Sequence, residues 1–427
     1  MIVFIVVIIN LFAVLATDTL AEDRPNIVFI MADDLGYGDL GCFGQKSIRT
    51  PRLDAMAEQG MRLTNMHAGA PLCLVSRCSL MTGLHGGHLR CRVNGGGGNH
   101  PMIEDEDITV AEVMKRAGYT TAMIGKWSLG DEFLGCIVNS KNIDGSGAIY
   151  RQGWDFYFGE PNQTYVHSYY LDVLYVHDPL GLTGNKTRPG RLEEIGYPGN
   201  SRDRKFYSHD LLIDWSLEFL DSAADRPFFL YLPLTIPHAK FEVPEIEPYA
   251  KETDWSEKGK IYASMITRMD RDIGRVVDHL KKLGLAEKTL VIFTSDNGGS
   301  CVYPPFDSNA GLPGKKGSFQ DGGLKVPTIA YWPSKVKAGT ASDEPLAFYD
   351  VLPTFAELAR VKPPQPVDGI SFVPTLTGQG KQASHKYLYF HMAGKGDRII
   401  RSADETRTDE EIRAEANTDV VVPRFED

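Results

Sequence analysis

The chain has 427 residues and carries 45 lysines and arginines against 56 aspartates and glutamates, a formal charge of −11. That balance excludes a general nucleic-acid binder, whose phosphate contacts need a basic face, while leaving room for a local cationic pocket. The length exceeds that of one ordinary domain and predicts a single large α/β core with a smaller appended unit.

In chain order, residues 2–15 are apolar except for Asn10, and the small residues Ala16 and Ala21 follow. The run is shorter than the roughly 20 residues of a membrane helix, so 1–21 reads as a secretory signal peptide. The expectation is an exported protein, periplasmic or secreted, with no stable membrane anchor. Ile27, Val28, Phe29, Ile30 and Met31 predict a buried strand that ends at Asp33 and Asp34. Thr50 and Pro51 open a helix whose Leu53, Met56 and Ala57 share a face, and Gly60 stops it. At a predicted loop-to-helix junction, Cys73, Leu74, Val75, Ser76 and Arg77 set one nucleophile and one fixed cation four positions apart, ahead of Thr82 and Gly83. Six cysteines, at Cys42, Cys73, Cys78, Cys91, Cys136 and Cys301, lack the close-set pairs of a zinc site and the density of a disulfide scaffold.

Thr109 and Glu112 form a capping box, Ile108 and Val113 staple across it, and Gly118 ends the helix. A strand over 120–124 then stops at Gly125 and Lys126. Residues 130–205 are rich in Gly, Asn, Tyr and Pro without clear periodicity and are expected to form long loops over the sheet edge. A helix over 211–220 and a strand over 228–232 lead to His238. The long helix over 257–283 repeats apolar Ile261, Met265, Met269, Ile273, Val276 and Leu280, and feeds a strand that ends at Asp296 and Asn297.

Strands alternating with helices predict an α/β domain over 22–385, with a mainly parallel sheet covered by helices on both faces. Such sheets hold ligands just outside the carboxyl ends of their strands. Four strands therefore bring Asp33 and Asp34, Lys126, His238, and Asp296 and Asn297 to one edge. The acidic set offers only oxygen ligands, which implies a hard cation and favours calcium over zinc.

These motifs, together with Gly125-Lys126-Trp127, Pro237-His238-Ala239 and Gly314-Lys315-Lys316-Gly317, span residues 25–378. Over that stretch the sequence resembles the sulfatase family, of arylsulfatase and N-acetylgalactosamine-6-sulfatase type, with an alkaline-phosphatase-like fold. The resemblance implies hydrolysis of a sulfate ester on a sulfated carbohydrate or aryl sulfate. It implies that a maturation enzyme converts Cys73 to formylglycine, whose hydrated aldehyde supplies the attacking oxygen. Arg77 matches the arginine that holds this residue, and its planar, permanently charged fork suits that task. Lys126 and Lys316 match the lysines that contact sulfate and the leaving oxygen, and His238 the histidine near the leaving group. Asp33, Asp34, Asp296 and Asn297, with the converted Cys73, match the Ca2+ ligands.

The sequence departs from the family pattern in three places. Val75 stands where Pro or Ala is usual, which predicts partial conversion because Pro pre-organises an extended segment. Ser128 replaces a histidine common two residues after the lysine, leaving His167 and His88 as candidate proton donors. Residues 386–427 read as a truncated or divergent C-terminal segment, and 404–427, with few large apolar residues, as a solvated end. Two other functions fit the same residues: a phosphodiester or phosphonate hydrolase, and a non-catalytic binder of sulfated glycans.

Overall fold

In the computed structural model, residues 24–94, 102–130, 145–163, 165–300 and 303–425 are described. The signal segment expected over 1–21 lies outside them. Strand β1 (Asn26–Ala32) is buried along its whole length. Its alternating side chains divide between two cores: Ile27, Phe29 and Met31 enter one, and Val28, Ile30 and Ala32 the other. A strand buried on both faces reads as a continuous apolar run, the pattern seen in the sequence.

The chain continues through β2 (Met61–Leu63), β3 (Met66–His67), β4 (Thr120–Ile124), β5 (Phe156–Gly159), β6 (Val173–His177), β7 (Glu193–Gly196) and β8 (Phe228–Pro233). It then forms β9 (Thr289–Ser295), β10 (Thr328–Tyr331), β11 (Thr340–Ser342) and β12 (Leu346–Ala347). Ten of these make one sheet in the order β11-β2-β10-β9-β1-β8-β4-β5-β6-β7. The middle strands β9, β1, β8, β4 and β5 are mutually parallel, whereas β10 and β6 run antiparallel to their neighbours. The Cys73–Thr82, Val110–Arg116 and Val351–Leu358 helices cover one face. The Pro51–Glu58, Ser208–Ser222 and Glu257–Lys282 helices cover the other. The predicted capping box forms, with Thr109 and Glu112 each accepting from the other's backbone amide. No helix among the described residues is long and apolar enough to cross a membrane.

Two expectations are corrected. The stretch 130–205 is not only loop: β5 joins the sheet parallel to β4, and β6 and β7 extend it by antiparallel pairing. These strands are short, and β7 is a polar edge strand whose order comes from its neighbour more than from its own composition. The C-terminal segment is likewise folded. Strands β13 (Tyr387–Met392) and β14 (Gly396–Arg401) make an antiparallel hairpin, followed by the Asp409–Ala416 helix. That helix carries a second capping box, between Thr408 and Glu411, and buries Ile412 and Ala416. A helix that buries only two side chains leaves an almost wholly polar sequence.

This unit docks on glycines that follow the Cys73–Thr82 helix. A Cβ on Gly87 would lie 1.9 Å from the Ala416 carbonyl oxygen. Gly87→Ala is therefore expected to lower unfolding free energy by about 1–3 kcal/mol through overpacking. Limited proteolysis should then cut within 402–425 faster than in the wild type, and an unchanged cleavage rate would show that this contact does not fasten the unit.

Candidate active site

Parallel register places the ends of the central strands level. Ala32 pairs with Ser295 and Met31 with Pro233, so the residues that follow β1, β8 and β9 emerge side by side. Asp33 and Asp34 follow β1, Lys126 follows β4, His238 lies beyond β8, and Asp296 and Asn297 follow β9. Asp34 adopts φ 66°, in the left-handed region that Asp tolerates better than most residues. Its amide donates to Asp296 Oδ1 at 3.1 Å, and Asn297 Nδ2 donates to Asp34 Oδ1 at 2.8 Å.

Cys73 begins a helix in which every residue is buried. Ser76 fixes its approach, its Oγ accepting from Gly69 N at 3.0 Å. One turn along, Arg77 sends Nε to Asp296 Oδ2 at 2.9 Å and Nη2 to the same oxygen at 2.8 Å, with Asp33 Oδ2 3.5 Å away. The helix thus ties the nucleophile position to the acidic cluster. Burial pushes the Cys73 thiol up, against the pull of Lys126 and Lys316. The unmodified side chain is therefore a neutral thiol, not a thiolate nucleophile. Its neighbours are Asn94 Oδ1 at 3.7 Å and Gln163 Nε2 at 3.8 Å. Asn94 also accepts from Leu74 N at 3.0 Å. Neither residue was foreseen, and an isolated Asn or Gln in a loop gives no spacing signal.

Lys316 arrives on a glycine-rich segment held against the acidic loop. Gly298 must be glycine, since a Cβ there would meet the Gly322 carbonyl oxygen at 1.9 Å. Lys316 N donates to Gly299 O, and its Nζ lies 2.6 Å from Asp34 Oδ1 and 2.7 Å from Oδ2. Its neighbour Lys315 is exposed. Lys126 is fully buried, with Nζ 2.8 Å from Asp33 Oδ2.

Of the two candidate donors, only His167 joins this set. Its Nε2 is 3.0 Å from Lys126 Nζ, and its ring stacks on His238 at 3.7 Å between centroids. His238 Nε2 is 3.4 Å from Asp34 Oδ2. Burial first, then Lys126, push His167 down to about 4. His88 instead pairs with Asp368 and stacks on His85. Ser128 is buried, with no hydrogen-bond partner for its Oγ among the described residues.

Three buried carboxylates, Asp33, Asp34 and Asp296, thus face Arg77, Lys126 and Lys316. Burial would raise Asp33, but Lys126, His238, His167 and Arg77 outweigh it and hold that carboxyl well below its usual range. Burial and the charge of Asp33 push Asp296 up to about 6, against Arg77 and Lys126. Carboxylate oxygens of Asp33, Asp34 and Asp296 lie within 4.8 Å of one another, close enough to share an ion. Asp33 Oδ1 and Asn297 Oδ1 are buried without hydrogen-bond partners among the described residues. Orphaned buried oxygens in an all-oxygen donor set fit a hard divalent cation.

Comparison with known proteins agrees with this geometry. The sulfatase family model matches residues 25–361, and a model of the C-terminal part of N-sulphoglucosamine sulphohydrolase matches residues 315–410. The chain is 30% identical over 405 residues to N-acetylgalactosamine-6-sulfatase of Homo sapiens, covering 89% of this chain and 70% of that protein. It is also 30% identical over 446 residues to Homo sapiens steryl-sulfatase, covering 89% and 74%. The solved structure of Ps i-CgsB in complex with k-i-k-neocarrahexaose superposes with a TM-score of 0.67 at 26% identity, covering 88% of this chain and 86% of that one. A single family model spanning most of the chain, over a sheet whose strand ends converge on one acidic and cationic cluster, shows that the protein belongs to the sulfatase family.

Proposed function

We propose that the protein is an exported hydrolase of sulfate esters on sugars, dependent on calcium and on conversion of Cys73 to formylglycine by a maturation enzyme. The observation that carries this reading is the tie from Cys73 through Arg77 to an acidic cluster that retains two unpartnered oxygens, Asp33 Oδ1 and Asn297 Oδ1. N-acetylgalactosamine-6-sulfatase and the neocarrahexaose-bound Ps i-CgsB support a sugar ester, and the equally identical steryl-sulfatase keeps an aryl or steryl sulfate as the second candidate.

Asp33, Asp34, Asp296 and Asn297 would hold calcium, which supplies positive charge beside the sulfuryl group. Formylglycine at position 73 would supply the attacking oxygen as its hydrate. The remaining work falls to side chains already in position. Arg77 fixes the reactive residue by bonding Asp296 and approaching Asp33. Lys126 and Lys316 direct ammonium charge at the edge where sulfuryl oxygens gain charge, a stabilisation worth most in a water-poor site. His238 lies on the same edge and can hand a proton to the departing alcohol.

The first helical hydrogen bond runs from Ser76 N to Leu72 O at 3.1 Å, so the amide at position 75 precedes the ladder. Proline is therefore compatible with the folded helix there. Co-expressed with a formylglycine-generating enzyme, Val75→Pro is expected to raise the formylglycine fraction at residue 73 and the activity per mole in proportion, as read by peptide mass spectrometry and sulfate release. Cys73→Ala should be inactive. Fully converted wild type that hydrolyses a phosphodiester but no sulfate ester would sink the proposal in favour of the phosphodiesterase, and calcium-dependent glycan binding with Cys73 still a thiol would favour the binder.

The metal has its own readout in thermal denaturation. A ligand that binds only the native state adds about 2.7 kcal/mol at about 100 times its Kd, so calcium should raise the melting temperature of wild type. Asn297→Ala should lose most of that shift. A melting temperature indifferent to calcium and to chelator would remove the metal assignment.

A further inference from the structure

The Lys126 ammonium, fully buried, has three protons to place. One goes to Asp33 Oδ2 at 2.8 Å, and another meets His167 Nε2 at 3.0 Å. An ammonium can only donate, so a ring nitrogen at that distance accepts and carries its own proton on Nδ1. The other conceivable partner of this nitrogen, Asp33 Oδ2, lies at 3.6 Å, beyond hydrogen-bond reach. No third acceptor for Lys126 Nζ stands among the described residues, so its third proton is free to meet a substrate oxygen.

His167 has a second contact. Its ring lies on His238 with planes 13° apart, and its carbonyl accepts from Lys240 N at 3.4 Å, tying its turn to the segment that follows His238. The loop that carries Lys126 is fixed through its backbone, Lys126 N donating to Pro233 O at 2.9 Å and Ser128 N to Pro161 O at 3.0 Å, but its side chains give the ammonium no further acceptor among the described residues. Ser128 sits there at φ 58° with an unpartnered Oγ.

We propose that His167 is a positioning residue: Nε2 accepts from Lys126 while the ring face holds His238, so that both groups address the leaving oxygen as one unit. The reaction served rests on the sulfatase reading, whereas the Lys126–His167–His238 assembly stands without it.

Two variants separate the contacts in the mature, calcium-loaded enzyme. His167→Phe keeps a ring to stack but has no acceptor, and His167→Gln keeps an acceptor but little stack. His167→Phe is expected to lower kcat about 10- to 100-fold, the cost of a catalytic group displaced by about an ångström, with KM changed less than about threefold. The loss should be larger on an alkyl sulfate than on an aryl sulfate, because a poorer leaving group depends more on an aligned donor. His167→Gln should recover part of kcat. An unchanged kcat in His167→Phe, or equal losses on both substrates, overturns the proposal.

Nitrogen-15 ring spectra of the calcium-loaded wild type, assigned with His167→Gln, give a readout without turnover. An unprotonated Nε2 supports the proposal, and a proton on Nε2 overturns it. If wild type hydrolyses no sulfate ester, the proposed function fails while the spectra still decide the role of His167.

Discussion

Charge neutralisation at the carboxyl edge of the sheet is the constraint on which the rest of the site depends. Asp33, Asp34 and Asp296 are at most 2% exposed, and Arg77 and Lys126 are no more accessible. Taking each such charge out of water costs several kcal/mol, recovered only where opposite charges and hydrogen bonds are close. Arg77, Lys126 and Lys316 provide that match, so the side chains alone sum to neutrality. Under the proposed chemistry, a divalent cation added to this neutral set would leave it doubly positive. The loaded site would then attract an anionic ester, more strongly as the sulfuryl oxygens gain charge. Affinity for substrate is in this sense a property of the loaded site, not of the carboxylates or cations taken singly.

A site of this kind tolerates little movement, because a small displacement leaves a buried charge unmatched. The backbone meets that demand by close approach. Asp34 sits in a left-handed conformation fixed by its amide bond to Asp296, and the Gly298 and Gly322 backbones touch without side chains between them. The C-terminal unit takes part from outside: Leu388 and Phe390 of its hairpin pack with Leu324, just beyond the segment that carries Lys316. Arg398 donates to the Phe319 carbonyl at 2.8 Å in the same segment. Lys316, which the proposed chemistry sets against the sulfuryl oxygens, is thereby held in register by residues remote from it in sequence.

How much of this could be read in advance depended on how locally each feature is encoded. The central strands were legible because two-sided burial leaves uninterrupted apolar runs, as in Ile27 to Met31, and because the β1 and β9 runs stop at the pairs Asp33-Asp34 and Asp296-Asn297. The Thr109 capping box was legible because it is written in four consecutive residues. The box at Thr408 and Glu411 is written the same way but went unread, its helix burying too few side chains to interrupt a polar tail. Strands β5 to β7 lacked any periodicity long enough to register and take their order from the neighbouring sheet. His167 could be named only as one of two histidines, since nothing local distinguishes it from His88. Asn94 and Gln163 owe their places beside Cys73 wholly to tertiary packing.

Cys73 is 2% exposed at the start of a helix with no exposed face. An enzyme that oxidises its thiol needs the residue extended and outside the core, so under the proposed chemistry it must act before that helix docks. Modification becomes a race against folding, and each molecule runs it once. Two chains of identical sequence then differ for life, one armed and one inert, according to which event came first. Specific activity of a preparation therefore records the history of its synthesis, and slowing the docking of this one helix would raise it without altering any residue at the site.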